Sequence, residues 1–246
     1  MAILNYLLMT SAVAPSDKTP YQVLLNPEIR FNQTLVATNK WLRLARRHDF
    51  QIILADNSGW ASKLAAQIPR KDLSNGVISI VDLPRPSEEI LRRGKGAAEA
   101  ETILLALQQC GFEDSRNIAK VNARYFATNG MYLVKSVDEP FQFAAWPGER
   151  LASIDATFFL AKMDFLKDLC SKLVSEIHDA SGDYFEIVSA RHTIQNNSCD
   201  FQMFPYSPAI AGQSGTTGLN RSRWSEGRMV SNLVRLRKNC LERILR

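Results

Sequence analysis

Two cations stand four residues apart in "NIAKVNARYFATN" (residues 117–129), where Ile118, Val121, Tyr125 and Phe126 suit a buried strand. Burying unpaired charge is expensive, so Lys120 and Arg124 call for acids or for an anionic ligand. At i and i+4 on a strand both point to one face. Glu99 and Glu101 are the acids to hand. Phosphate is the ligand the pair would suit: the planar Arg fork binds it in a bidentate way, and Lys acts as a point charge.

Other polar groups stand at the ends of apolar runs. Thr10-Ser11 close the first run and Asp56-Asn57-Ser58-Gly59 the second. Asp56 either accepts hydrogen bonds from a bound ligand or closes an Asx turn, since D-N-S-G is strong turn chemistry. Around Lys95, Gly94 and Gly96 permit close backbone approach, and the helix start after them favours anions. The plain alternative is an ordinary helix break with Glu99 in solvent. Asp155 in "DATFF" and Glu186 in "DYFEIV" are acids beside aromatics, where desolvation raises a pKa. "GQSGTTG", with Gly212, Ser214 and Gly215, is either a loop whose N–H groups touch a ligand or a turn.

Several chemistries are disfavoured. There is no G-x-x-x-x-G-K-[ST] and no G-x-G-x-x-G after the first strand. The three histidines, at 48, 178 and 192, are scattered, and the four cysteines show no C-x-x-C spacing. A histidine metal cluster, a zinc ribbon and a disulfide framework are therefore not expected. The opening "MAILNYLLMTSAVAP" has no Lys or Arg before Lys18, unlike a signal peptide, and is too short to span a bilayer. It reads as a buried strand of a cytosolic protein.

These groups need elements to position them. "ILNYLLMTSAV", "FQIILADNSG" and "GVISIVDLP" read as buried strands. "FNQTLVATNKWLRLARRH" and "WASKLAAQI" read as helices, the first with Leu35, Thr38, Trp41, Leu42 and Ala45 on one face. "SEEILRRGKGAAEAETILLALQQCG" reads as a helix with a Ser87 cap, a break at 94–96, and a stop at Gly111. The Lys120 strand follows. Alternating strands and helices predict an α/β fold with a mostly parallel sheet sandwiched by helices. Ligands bind such sheets at the carboxyl ends of the strands.

The second half is less regular. "SIDATFFLAKMDFLKDLCSKLVSEIH" reads as a strand entering a helix, "DYFEIVSARHTIQ" as a helix, and "FPYSPAIAGQSGTTGL" as a loop. Residues 220–246 carry eight Lys/Arg against Glu226 and Glu242. With a net charge of +5 overall, the basicity belongs to this tail. Val230, Leu233, Val234, Leu241, Ile244 and Leu245 make it a basic amphipathic helix. It suits an anionic membrane surface, or packs its apolar side on the core. With Trp224 alone, the tail has no aromatic platform for nucleic acid, and no nucleic-acid partner is expected.

Taken in order, T-S-A after the first strand, an Arg-started helix, "ADNSG", "GKGAAEAE", "IAKVNARYFATN", "DATFFLAK", "YFEIVSARH" and "AGQSGTTG" resemble the small bacterial glycosyltransferases of capsule and O-antigen biosynthesis. The resemblance rests on order and spacing over Ile3 to Gly218. It implies a Rossmann-type, GT-A-like domain over 1–219, with 220–246 as an appended helix. It further implies a nucleotide-sugar donor and a glycan or lipid-linked glycan acceptor, met at the inner face of the cytoplasmic membrane. In that family an Asp-x-Asp at a central strand end usually holds a divalent metal against the donor diphosphate. Here the comparable segment has Lys120 and Arg124 and no acid, so no metal cofactor is expected. Thr10, Ser11, Asp56, Asn57, Ser58, Lys95, Gly96, Glu99, Lys120 and Arg124 are then the donor side. Glu186 is preferred over Asp155 as the catalytic base, and His192 as an orienting group. Gly212, Ser214 and Gly215 fall to the acceptor or its loop. A non-catalytic nucleotide- or glycan-binding module of the same fold is the alternative.

Overall fold

The computed structural model describes residues 1–16, 23–111, 116–195 and 199–213. Ser214, Gly215 and the whole of 220–246 lie outside them, so the basic tail is not described.

The first half alternates as its apolar runs predict. Strand β1 (Tyr6–Ser11) leads to helix α1 (Pro27–His48), β2 (Gln51–Asp56), α2 (Ala61–Gln67), α3 (Arg70–Ser74) and β3 (Ile78–Asp82). Then come α4 (Glu88–Arg93), α5 (Lys95–Cys110) and β4 (Asn117–Asn122). Beyond lie β5 (Phe126–Ala127), α6 (Gly130–Lys135), β6 (Phe143–Pro147), β7 (Ile154–Lys162), α7 (Met163–Glu176), α8 (Phe185–Ala190), β8 (Phe201–Met203) and β9 (Ile210–Ala211).

Among the described residues one seven-stranded sheet runs β3-β2-β1-β4-β7-β6-β8. Four of its pairings are parallel, and β7 runs against its neighbours β4 and β6. A second sheet pairs β5 with β9. Because strand side chains alternate, β1 sends Leu7 and Met9 to a core shared with Trp41 and Leu42 of α1. It sends Leu8 to a core shared with Ile103 and Leu107 of α5. The fold is a three-layer α/β sandwich.

Helix ends follow local chemistry. Asn26 caps α1, its side-chain oxygen accepting from the N–H groups of Glu28 and Ile29 at 3.0 and 3.2 Å, with Pro27 in the first turn. Ser87 caps α4 through Ile90 N–H. One reading of the chain is corrected and one gap is filled. The Lys120 strand ends at Asn122, where the Asn122 side chain accepts from Arg124 N–H at 3.2 Å and turns the chain. The segment 141–147, unassigned from sequence, supplies β6, an interior strand.

Candidate functional site

A cavity of about 440 Å³ opens at the carboxyl ends of β1, β2 and β4, a size suited to a small-molecule ligand. Among the described residues its cations are Arg30, Arg85, Lys95 and Arg124, and its acids Glu88 and Glu99.

Arg30 and Arg124 dominate the electrostatics. Only 3% and 5% exposed, both donate to backbone carbonyls. Arg30 Nε donates to Ala12 O at 2.8 Å and its Nη1 to Leu24 O at 3.1 Å, while Arg124 Nη1 donates to Gln213 O at 3.0 Å. Burial and the neighbouring Arg124 charge push the Arg30 pKa down to about 9, which still leaves it charged at neutral pH. Burial lowers Arg124 as well. Two like charges desolvated at one wall of a cavity favour a bound anion. The Arg124 turn is rigid: Trp41 Nε1 of α1 donates to Tyr125 O at 2.9 Å, and a Cβ at Gly212 would stand 2.5 Å from Arg124 O.

Lys120 departs from expectation. Its ammonium, 1% exposed, does not line the cavity; it pairs with Glu99 and donates to Ala156 O at 3.2 Å. Glu99 stands between Lys120 and the cavity and also accepts from Thr10 Oγ1 at 3.2 Å. Burial opposes its charge, but Lys120 and Lys95 beside it hold its carboxyl below the ordinary range. So the two cations part: Arg124 faces the cavity and Lys120 backs its floor.

Asp56 is corrected too. Fully buried, it accepts from the N–H groups of Ser58 (2.9 Å), Trp60 (3.0 Å) and Val13 (3.4 Å) and from Ser58 Oγ. It closes the turn after β2 and takes no place in the cavity wall, and Ser58 belongs to the same turn. Asn57 does line the cavity, its amide donating to Thr102 Oγ1 at 2.7 Å. Thr10 and Ser11 line it as well. Ser11 Oγ, in a residue 6% exposed, has no hydrogen-bond partner among the described residues. A buried hydroxyl at a cavity wall is ordinarily satisfied by a ligand or water.

The glycines around Lys95 serve the protein itself. A Cβ at Gly94 would sit 2.1 Å from Asp179 Cγ, and one at Gly96 would sit 3.0 Å from Phe185 Cβ. Asp179 accepts from Lys95 N–H at 3.0 Å, so the N-terminus of α5 already holds a carboxylate. The Lys95 side chain remains in the cavity wall.

Of the acids named as base, Asp155 is turned to Thr157, accepting from its N–H at 2.9 Å and from its hydroxyl, and does not line the cavity. Glu186, in the first turn of α8, lies outside the lining but within the field of Glu99, Lys95 and Lys120. Burial raises its carboxyl and the Glu99 charge raises it further; with more than a third of the residue exposed, solvent tempers both effects. His192 pairs with Glu176 at 2.9 Å, away from the cavity. Gly212 lies in a neighbouring groove.

Arg30, Arg85 and Asn122 also line the cavity and were not singled out from the sequence. Arg30 had a signal, a cation in the first turn of the helix after β1. Arg85 and Asn122 had none beyond their place after β3 and at the end of β4.

Among the described residues the end of β4 offers the cavity no carboxylate for a divalent metal. Its cavity-facing residues are Asn122, whose oxygen is used by the turn, and Arg124, a cation. Among the described residues no group of three His, Cys, Asp or Glu is placed to hold an ion.

No protein-family model matches the chain, and no curated protein matches it. Solved structures do. The galactosyltransferase LgtC, in complex with donor and acceptor sugar analogues, superposes with a TM-score of 0.51 at 8% identity, over 80% of this chain and 72% of that one. The glycosyltransferase GlyE of Streptococcus pneumoniae gives 0.46 at 11% identity, over 82% of this chain and 45% of that one. A glycosyltransferase involved in glycosylation of the major capsid of PBCV-1 gives 0.44 at 8%, over 81% and 80%. The likeness to LgtC establishes a GT-A-like fold for this chain. Among the described residues no helix is long and apolar enough to cross a membrane.

Proposed function

We propose that this protein is a glycosyltransferase that moves a hexosyl group from a nucleotide-sugar to a glycan acceptor. The observation that carries the reading is the cavity itself. Two buried arginines and Lys95 converge at the strand ends where α/β sheets bind ligands, beside an unsatisfied buried hydroxyl.

In the reaction the acceptor oxygen bonds to the anomeric carbon as the carbon–oxygen bond to the diphosphate breaks. The bonding pair leaves on the phosphate, and the acceptor proton goes to a base. Arg30, Arg124 and Lys95 stabilise the charge growing on the leaving diphosphate, in place of a metal. Glu99, kept ionised by Lys120, accepts from donor hydroxyls. Glu186 is the base we assign. Its raised carboxyl predicts a rate that falls as acidification protonates it, starting above the ordinary glutamate range.

The resemblance of the ordered segments supports a bacterial capsule or O-antigen acceptor, carried on lipid at the cytoplasmic face of the membrane. Residues 220–246, with their cations and apolar stripe, are the segment suited to anionic headgroups.

The test is a thermal-shift screen across UDP, GDP, CMP and dTDP sugars, followed by transfer assays in excess EDTA. A cognate donor at a hundredfold excess over its dissociation constant stabilises the fold by about 2.7 kcal/mol. Stabilisation without turnover would favour a binding module. Activity abolished by EDTA and restored by Mn²⁺ or Mg²⁺ would overturn the metal-free stabilisation and leave the transferase reading standing.

A further inference from the structure

Beside the donor cavity lies a second groove of about 340 Å³, between α1 and the β5–β9 pair, and Arg124 lines both. Its walls are aliphatic with one aromatic edge: Ile29, Val36, Phe126 and Ala211. Ile29 and Val36 are 45% and 57% exposed, on a helix face where polar residues are the rule.

Two observations point to a ligand that is polar at one end. Gln33 Oε1 is buried without a hydrogen-bond partner among the described residues, while its amide nitrogen donates to Gln213 Oε1 at 2.6 Å. Gln213 O in turn accepts from Arg124, so this unsatisfied acceptor stands near the junction of groove and cavity. Elsewhere along the groove the lining is apolar, apart from Asn32 and Lys40, whose ammonium lies 5.6 Å over the Phe126 ring.

We propose that this groove is the acceptor subsite, and that it takes a glycoside with an alkyl aglycone. The alkyl chain lies along Ile29, Val36 and Phe126. The sugar reaches Gln33, where a hydroxyl satisfies the buried carbonyl oxygen, and its reacting hydroxyl meets the donor beside Arg124. The groove is continuous with the cavity assigned to the diphosphate through Arg124, which lines both. The inference rests on the transferase reading above.

Calorimetric titration of the full chain with matched methyl and octyl glycosides of glucose, galactose and N-acetylglucosamine tests it, below the micellar concentration of the octyl compounds. Burial of a few methylenes predicts that at least one octyl glycoside binds about tenfold or more tightly than its methyl partner. Val36→Glu, at an exposed helix position, should erase that preference, and Ile29→Glu should do the same from the other end of the groove. Melting temperatures check that both variants fold. Equal affinity of octyl and methyl glycosides for the wild type overturns the proposal, and this is also the outcome expected if residues 214–246 fill the groove. A preference that survives both substitutions overturns it too. Titration with UDP and GDP reports on the donor cavity separately, so failure of the transferase reading shows there.

Discussion

Lys120 and Arg124 are both buried, four residues apart, and the chain treats them in opposite ways. Lys120 belongs to the sheet: its ammonium finds Glu99, and the pair closes the cavity floor. Arg124 belongs to the turn beyond the sheet, where it meets a carbonyl and the neighbouring charge of Arg30. Lys120 is held by a carboxylate behind the cavity floor, whereas Arg124 is held by a backbone carbonyl at the cavity wall. The difference is read from partners, since burial alone is the same for both.

The largest effect should come from breaking the floor. Lys120→Met leaves Glu99 without its partner, and losing one member of a buried pair costs about 3–5 kcal/mol. Denaturant midpoints should fall accordingly, and adding Glu99→Leu should recover most of the loss. A Lys120→Met variant as stable as wild type would remove the structural role assigned to this pair.

Arg124→Ala should act on the other side of the comparison. The loss of a charged donor from a preorganised site amounts to about 2–4 kcal/mol of transition-state stabilisation, roughly 30- to 1,000-fold in kcat/KM. Melting should change far less than in Lys120→Met, because the substitution also relieves Arg30 of a repelling neighbour. Should Arg124→Ala unfold as readily as the lysine variant, the division between floor and wall is wrong.

The smallest effect sharpens the assignment of the wall. Ser11→Ala removes a hydroxyl with no partner among the described residues, so folding should be nearly untouched. A neutral hydrogen bond to the donor contributes about 0.5–1.5 kcal/mol, which predicts donor affinity weakened by up to about tenfold. Unchanged affinity in a titration with the donor would place Ser11 outside the contact.

The first four sheet strands were legible because each is a bounded apolar run, and α4 carries its Ser87 cap; the Asn26 cap of α1, which stands ahead of the apolar periodicity, was not read. β6 was not. Its "FAAWP" is short, alanine-rich and ends in proline, and becomes a strand through β7 on one side and β8 on the other. The site divides in the same way. That polar groups gather at strand ends follows from the alternation of strand and helix. Which carboxylate faces outward does not: Asp56 and Glu99 both stand near β1, and the N–H groups after β2 capture the first while Lys120 orients the second. The D-N-S-G turn signal for Asp56 was visible, but it competed with a ligand reading that fitted the residue type equally well.

Gly94 and Asp179 bear on how such a chain can change over time. The carboxylate occupies the space a side chain at 94 would need, and it caps the helix that bears Lys95 and Glu99. Neither position can drift alone: a larger residue at 94 displaces the cap, and a shorter residue at 179 opens the helix end to water or to a passing anion. The two positions should therefore covary across homologues, far apart in the chain yet linked by a single contact. A lineage that loses both together would leave the first N–H group of α5 without its carboxylate partner.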